Sequence, residues 1–171
     1  MVTFEMNTGK IIKIEVYPHV APITAQNFLY LCSIGFYDGT PFHRVIKDFV
    51  IQGGAPNGDP YGNPGYRIKG EFMFNGGSNK LRHLRSYVSM ARSEDFNSAG
   101  SQFFICLTRA PHLDGRYAIF GKVTEGMDVV DEIANVPVDE NKRPLEDQYI
   151  VKVTLDEKEK INAVRPEVMP R

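Results

Sequence analysis

Hydrophobic and polar residues alternate with a period of two through most of this chain. Residues 3–6 and 11–16 alternate on either side of Asn7-Thr8-Gly9-Lys10, a sequence suited to a hairpin turn. Further strand-like runs follow at residues 42–46, 49–52, 86–91, 102–107, 118–123 and 148–155, separated by stretches rich in glycine, proline and asparagine. Two segments change to helical spacing. Between residues 22 and 34, Ile23, Asn27, Phe28, Leu31 and Cys32 can share one face, Pro22 suits the first turn, and Gly35 marks the end. Between residues 127 and 134, Met127 and Val130 align with Ile133 or Ala134, just after Gly126. Many short strands with two helices predict an all-β domain of the barrel or sandwich kind over residues 1–155. Residues 156–171 are charged and broken by Pro166 and Pro170. They carry too little apolar surface to stabilise themselves, so a mobile or loosely docked tail is expected.

Composition narrows the function classes. The 171 residues are 42% hydrophobic and 24% charged, the profile of one globular domain with a full core. Twenty basic residues stand against 21 acidic ones for a net charge of -1, which gives no electrostatic reason to expect nucleic acid or an anionic membrane as partner. No apolar run approaches the roughly 20 residues of a membrane-spanning helix. Residues 1–5 enter the alternating pattern without an apolar signal core, so a cytoplasmic location is expected. Cys32 and Cys106 each lie among apolar residues and read as two buried, reduced thiols. His19, His43, His83 and His112 lack the close spacing of metal ligands, and no metal or other cofactor is expected.

The stretch from Phe42 to Gly54 sets Arg44 and Gln52 among residues that otherwise read as sheet wall. A guanidinium is always charged and costly to desolvate without a partner, so its place near Phe49 and Val50 suggests a groove that meets a polar ligand atom. Period-two geometry puts Val50 and Gln52 on one strand face and Gln102 and Phe104 on one face of another. Other readings stay open at this point. Arg44 could cover a flank and pair with a carboxylate, Phe49, Phe104 and Leu113 could be interior, and Gln102 could satisfy a backbone group. His43 adjoins Arg44 but points to the opposite face, which favours a structural role.

Three blocks carry a resemblance: residues 42–54, Gly100-Ser101-Gln102-Phe103-Phe104-Ile105, and Leu113-Asp114-Gly115-Arg116-Tyr117-Ala118-Ile119-Phe120-Gly121-Lys122-Val123. In this order, with a helix before the first block and Gly126-Met127-Asp128-Val129-Val130 after the last, the chain resembles cyclophilins. Ser89-Met90-Ala91-Arg92-Ser93 and short loops look more like bacterial, single-domain members. The resemblance implies a closed eight-stranded antiparallel β-barrel capped by two α-helices, and peptidyl-prolyl cis/trans isomerase activity. It implies that Phe49, Val50, Phe104, Leu113 and Tyr117 receive the proline ring. It likewise implies that Gln52, Gln102 and the backbone at Ala91 and Arg92 hold the substrate chain, and that Arg44, supported by Gln52, does the catalytic work.

His112 stands where many cyclophilins have tryptophan, Tyr117 where they have histidine, and Arg92 where asparagine is common. His112 at the rim therefore implies weak cyclosporin binding with catalysis of small peptides kept. The expected partners are proline-containing peptides and unfolded proteins, met by a monomer. The rival expectation is a proline-peptide binding module or holdase with low turnover. An arginine aimed at the rotating bond favours the enzyme.

Overall fold

The opening hairpin forms as the alternation requires in a computed structural model that describes residues 1–171. Strand β1 (Val2–Met6) pairs antiparallel with β2 (Ile11–Val16), and Val2, Phe4, Met6, Ile12, Ile14 and Val16 all face the core. Helix α1 (Pro22–Ser33) begins on its proline and stops where Gly35 takes a left-handed φ of 74°, a conformation that favours glycine. Its Phe28, Leu29 and Leu31 are fully or almost fully buried. The chain continues through β3 (Arg44–Ile46), β4 (Val50–Gly53), β5 (Tyr87–Met90), β6 (Phe103–Cys106), β7 (Ile119–Glu125), α2 (Met127–Ala134) and β8 (Ile150–Leu155). All eight strands and both expected helices are present.

The strands form one antiparallel sheet in the order β3-β4-β6-β5-β7-β2-β1-β8. This corrects the closed barrel implied by the resemblance: β3 and β8 lie at opposite ends of the order, and the sheet is an open half-barrel. The reason is local. β3 has only three residues, and Pro41 just before it has no N–H to extend a ladder. What spans the gap is irregular, a single bridge between Pro41 and Tyr149 flanked by backbone bonds from Gly39 N to Ile150 O (2.6 Å) and from Phe42 N to Gln148 O (2.8 Å).

The two faces of the sheet bury different residues. Inside lies the main core, where Ile51, Phe103 and Ile105 join α1 and the opening hairpin, and Phe103 packs edge-on against Phe28, Tyr37 and Phe42. Outside lies a smaller apolar cluster of Val50, Phe104, Cys106, Ala110 and Leu113, with Phe49, Ala91 and Tyr117 against it. The alternation along β4 and β6 separates the two. Cys32 and Cys106 are both buried and unbridged.

Residues 156–171 take more structure than the sequence reading expects. Asp156 caps a short helix, α3 (Glu157–Asn162), by accepting a hydrogen bond from Glu159 N at 3.0 Å. The remainder lies against the body of the protein, with Pro166 buried and Met169 N donating to Arg67 O at 2.8 Å.

Candidate active site

The site grows from one row of the sheet. The strand registers pair Arg44 with Gln52, Gln52 with Phe104, and Phe104 with Ser89, so four adjacent strands contribute one residue each to a continuous line. Arg44 is exposed at the sheet edge and has no carboxylate partner, which removes the reading of a surface ion pair. Its Nη1 donates instead to Gln52 Oε1 at 3.3 Å. Gln52 Nε2 donates to Gln102 Oε1 at 3.0 Å, and Gln102 Nε2 donates to the carbonyls of Pro60 and Gly62 at 2.9 and 3.0 Å. This chain of donors orients both glutamine amides and leaves the other guanidinium nitrogens of Arg44 without a protein acceptor.

Beside Arg44 opens a cavity of about 300 Å³, lined by Arg44, Phe49, Val50, Gln52, Ala91, Arg92, Phe104, Leu113 and Tyr117. Nine of the eleven residues that the resemblance points to thus meet in one pocket. Gln102 lines a second cavity of about 350 Å³ next to it, which shares Gln52, Ala91 and Arg92 with the first. His112 lines neither, and its ring stacks on Phe49 with centroids 5.4 Å apart. The apolar floor is Phe104, met edge-on by Tyr117 at 5.8 Å. Gly54 keeps the strand end close, since its φ is 88° and a Cβ there would lie 2.5 Å from Ser101 O.

The side chain of Arg92 is held among aromatic rings. Its guanidinium lies 4.5 to 4.9 Å from the ring centroids of Phe72, Phe96 and Tyr117, and its Nε donates to Arg116 O at 2.9 Å. Cation–π contact and hydrogen bonding together fix the Tyr117 wall of the pocket. The N–H of the neighbouring residue is already used, as Ala91 N donates to Gln102 O at 3.0 Å.

A group that the sequence reading does not single out supports the floor. His83 is fully buried, stacks on Phe104 at 5.9 Å, and places Nδ1 3.0 Å from Asp114 Oδ1 and Nε2 2.9 Å from Ser89 Oγ. Burial lowers its pKa, against the opposing pull of Asp114. The carboxylate can only accept, so the neutral ring carries its proton on Nδ1 and receives the Ser89 hydroxyl at Nε2. No signal in the sequence joins residues 83, 89 and 114, which meet only through the fold. His43, as its strand position implies, faces inward: it is buried, and burial with the nearby Arg143 and Arg44 charges lowers its pKa to about 4.

Comparison with known proteins identifies the family. The family model described as "Cyclophilin type peptidyl-prolyl cis-trans isomerase/CLD" matches residues 1–155. The chain is 43% identical over 156 residues to peptidyl-prolyl cis-trans isomerase-like 3 of Rattus norvegicus, covering 90% of this chain and 94% of that one. It is 44% identical over 133 residues to a peptidyl-prolyl cis-trans isomerase of Helicobacter pylori, covering 77% and 78%. The crystal structure of a Cryptosporidium parvum cyclophilin type isomerase, determined in the presence of the dipeptide Ala-Pro, superimposes with a TM-score of 0.82 at 34% identity, covering 91% of this chain and 98% of that one. An apolar pocket beside an unpaired arginine, on a fold and sequence matched along 155 residues, makes this chain a member of the cyclophilin-type peptidyl-prolyl cis-trans isomerases.

Proposed function

We propose that Arg44 is the transition-state donor of this isomerase and that the 300 Å³ cavity receives the proline ring of a flexible polypeptide. One observation carries the reading: a guanidinium with no carboxylate partner borders an apolar pocket, held from one side by Gln52. Rotation about an Xaa-Pro bond makes and breaks no covalent bond, so no nucleophile is needed. The task is to lower a barrier of roughly 20 kcal/mol.

Only interactions stronger at the twisted geometry help. When the amide twists, the proline nitrogen leaves conjugation and its lone pair becomes an acceptor. A donor aimed there binds the twisted form better than either planar isomer. A charged hydrogen bond worth about 1.5 to 3 kcal/mol gives on the order of 10- to 150-fold acceleration. The apolar pocket supplies a further part by stripping water from the more dipolar planar amide. Gln52, Gln102 and the backbone near Ala91 and Arg92 hold the chain on one side of the bond so that the other end turns against a fixed partner. The substrates are then Xaa-Pro bonds in unfolded or flexible chains, whose slow isomerisation delays folding.

The expected outcome for Arg44→Lys is a loss nearly as large as for Arg44→Ala, because an ammonium cannot reproduce the planar fork held by Gln52. A protease-coupled assay on an Ala-Pro-Phe tetrapeptide checks it. Near-normal turnover by the lysine variant refutes the assignment.

A further inference from the structure

Beyond the second cavity, on the side away from Arg44, lies a third cavity of about 390 Å³. It shares Asn63 and Ser98 with the Gln102 cavity, so the two are continuous along the surface. Three arginines line it: Arg67, Arg165 and Arg171. None of them is ion-paired, and Glu167 is the only acidic side chain between residues 160 and 171. A chain whose net charge is -1 thus concentrates unpaired positive charge at one end of its groove.

The basin is built by the tail. Pro166 is buried, Met169 N donates to Arg67 O at 2.8 Å, and Arg67 Nη2 donates to Pro170 O at 3.1 Å. Arg67 Nη1 donates to Asn97 O at 3.2 Å, which ties the tail to the loop carrying Ser98. Arg165 sits with its guanidinium 5.7 Å from the Tyr66 ring, which sets it over the cavity while leaving its hydrogen-bond donors free of any carboxylate. The family match ends at residue 155, so Arg165 and Arg171 lie outside the matched domain.

Resting on the reading that substrate runs past Gln102, we infer that this basin binds an acidic side chain, Asp or Glu, in the flank of the substrate peptide, and so sets a preference for acidic sequences near the target proline. The tail is then a specificity element. Exposed ion pairs are individually weak and salt-screened, so the preference is modest and fades with ionic strength.

The test titrates the full chain with paired peptides that share one Ala-Pro core and carry a run of either Glu or Gln in one flank, each flank tried in turn. Binding is read by NMR shifts and turnover by NMR exchange. For one flank, the Glu peptide binds roughly 2- to 10-fold tighter than its Gln twin at low salt, and the two converge in 0.5 M salt, about a 4 Å Debye length. The exposed double reversal Arg165→Glu with Arg171→Glu removes or inverts the preference, while exchange of the short core peptide stays within about twofold of the parent. Equal binding of Glu and Gln peptides in both flanks, or a preference that survives the reversal, overturns the basin. Failure of the short core peptide to exchange overturns the isomerase reading of the groove instead, and the titration still decides the basin.

Discussion

The two sides of the groove are built differently. Arg44, Gln52 and Phe104 stand on adjacent strands, and their spacing follows from sheet register. The opposite side, with Pro60, Gly62, Arg92, Leu113 and Tyr117, is made of loops and single turns, held by side-chain bonds and by the Arg92 aromatic cage. Strand spacing is rigid and serves chemistry, where a small displacement of a donor is costly. Loop walls vary more freely, and it is on them that His112, Tyr117 and Arg92 depart from the common cyclophilin pattern. With Arg44 as the proposed donor, the difference assigns catalysis to the sheet and selectivity to the loops.

That division predicts its largest effect at the pocket floor. Phe104→Ala removes a buried ring that packs on His83 and Tyr117, and stability is expected to fall by about 3 kcal/mol, together with a loss of proline binding. Denaturant unfolding and peptide titration on the same sample check both. A variant that lost binding with unchanged stability would detach the floor from the sheet and blur the comparison.

An intermediate effect concerns acid. The folded-state pKa of His43 is about 4, below the ordinary value of 6.5, so as pH falls the unfolded chain takes up the proton first. This contribution to stability is complete above pH 6.5 and is lost between pH 6.5 and 4, at no more than about 1.4 kcal/mol per pH unit. His83, also lowered by burial, adds a share of the same sign. Melting temperature measured across this window should fall with pH in the parent and fall less steeply in His43→Leu. Parallel curves would show that buried His43, just before β3, carries no such linkage.

The smallest effect on chemistry belongs to the rim. His112 stacks on Phe49 outside both cavities, offers less apolar area than tryptophan, and cannot copy the indole donor. His112→Trp should tighten cyclosporin binding while turnover of a tetrapeptide changes by less than about twofold, since no transition-state contact is involved. A matching rise in turnover would move the rim into the catalytic machinery.

The same contrast explains what could be read before the fold was seen. Alternation located every strand, and the helix at residues 127–134 is legible from Gly126 and the Met127, Val130 and Ile133 spacing. Arg44 and Gln52 stand out as polar residues within apolar strands. Periodicity could not say which face of β4 and β6 was interior, because both faces are buried: Ile51 and Phe103 enter the core while Val50 and Phe104 form the pocket cluster. Support from His83 and Ser89 could not be read either, since their meeting with Asp114 joins residues separated along the chain. The closed barrel came from family resemblance, and three residues of β3 after Pro41 leave the ladder open. In the tail, Asp156 with Glu159 three residues on was a readable helix start, outweighed by the charge and prolines that follow.

The central claim is that Arg44 acts on the twisted bond and not on the resting peptide. NMR exchange on an Ala-Pro-Phe peptide, with the dissociation constant measured on the same samples, tests it most directly in Arg44→Ala. The account predicts an exchange rate at saturation reduced by at least about 10-fold with the dissociation constant changed by less than about twofold. A dissociation constant raised in proportion, with the saturated rate intact, would make Arg44 a binding group and contradict it.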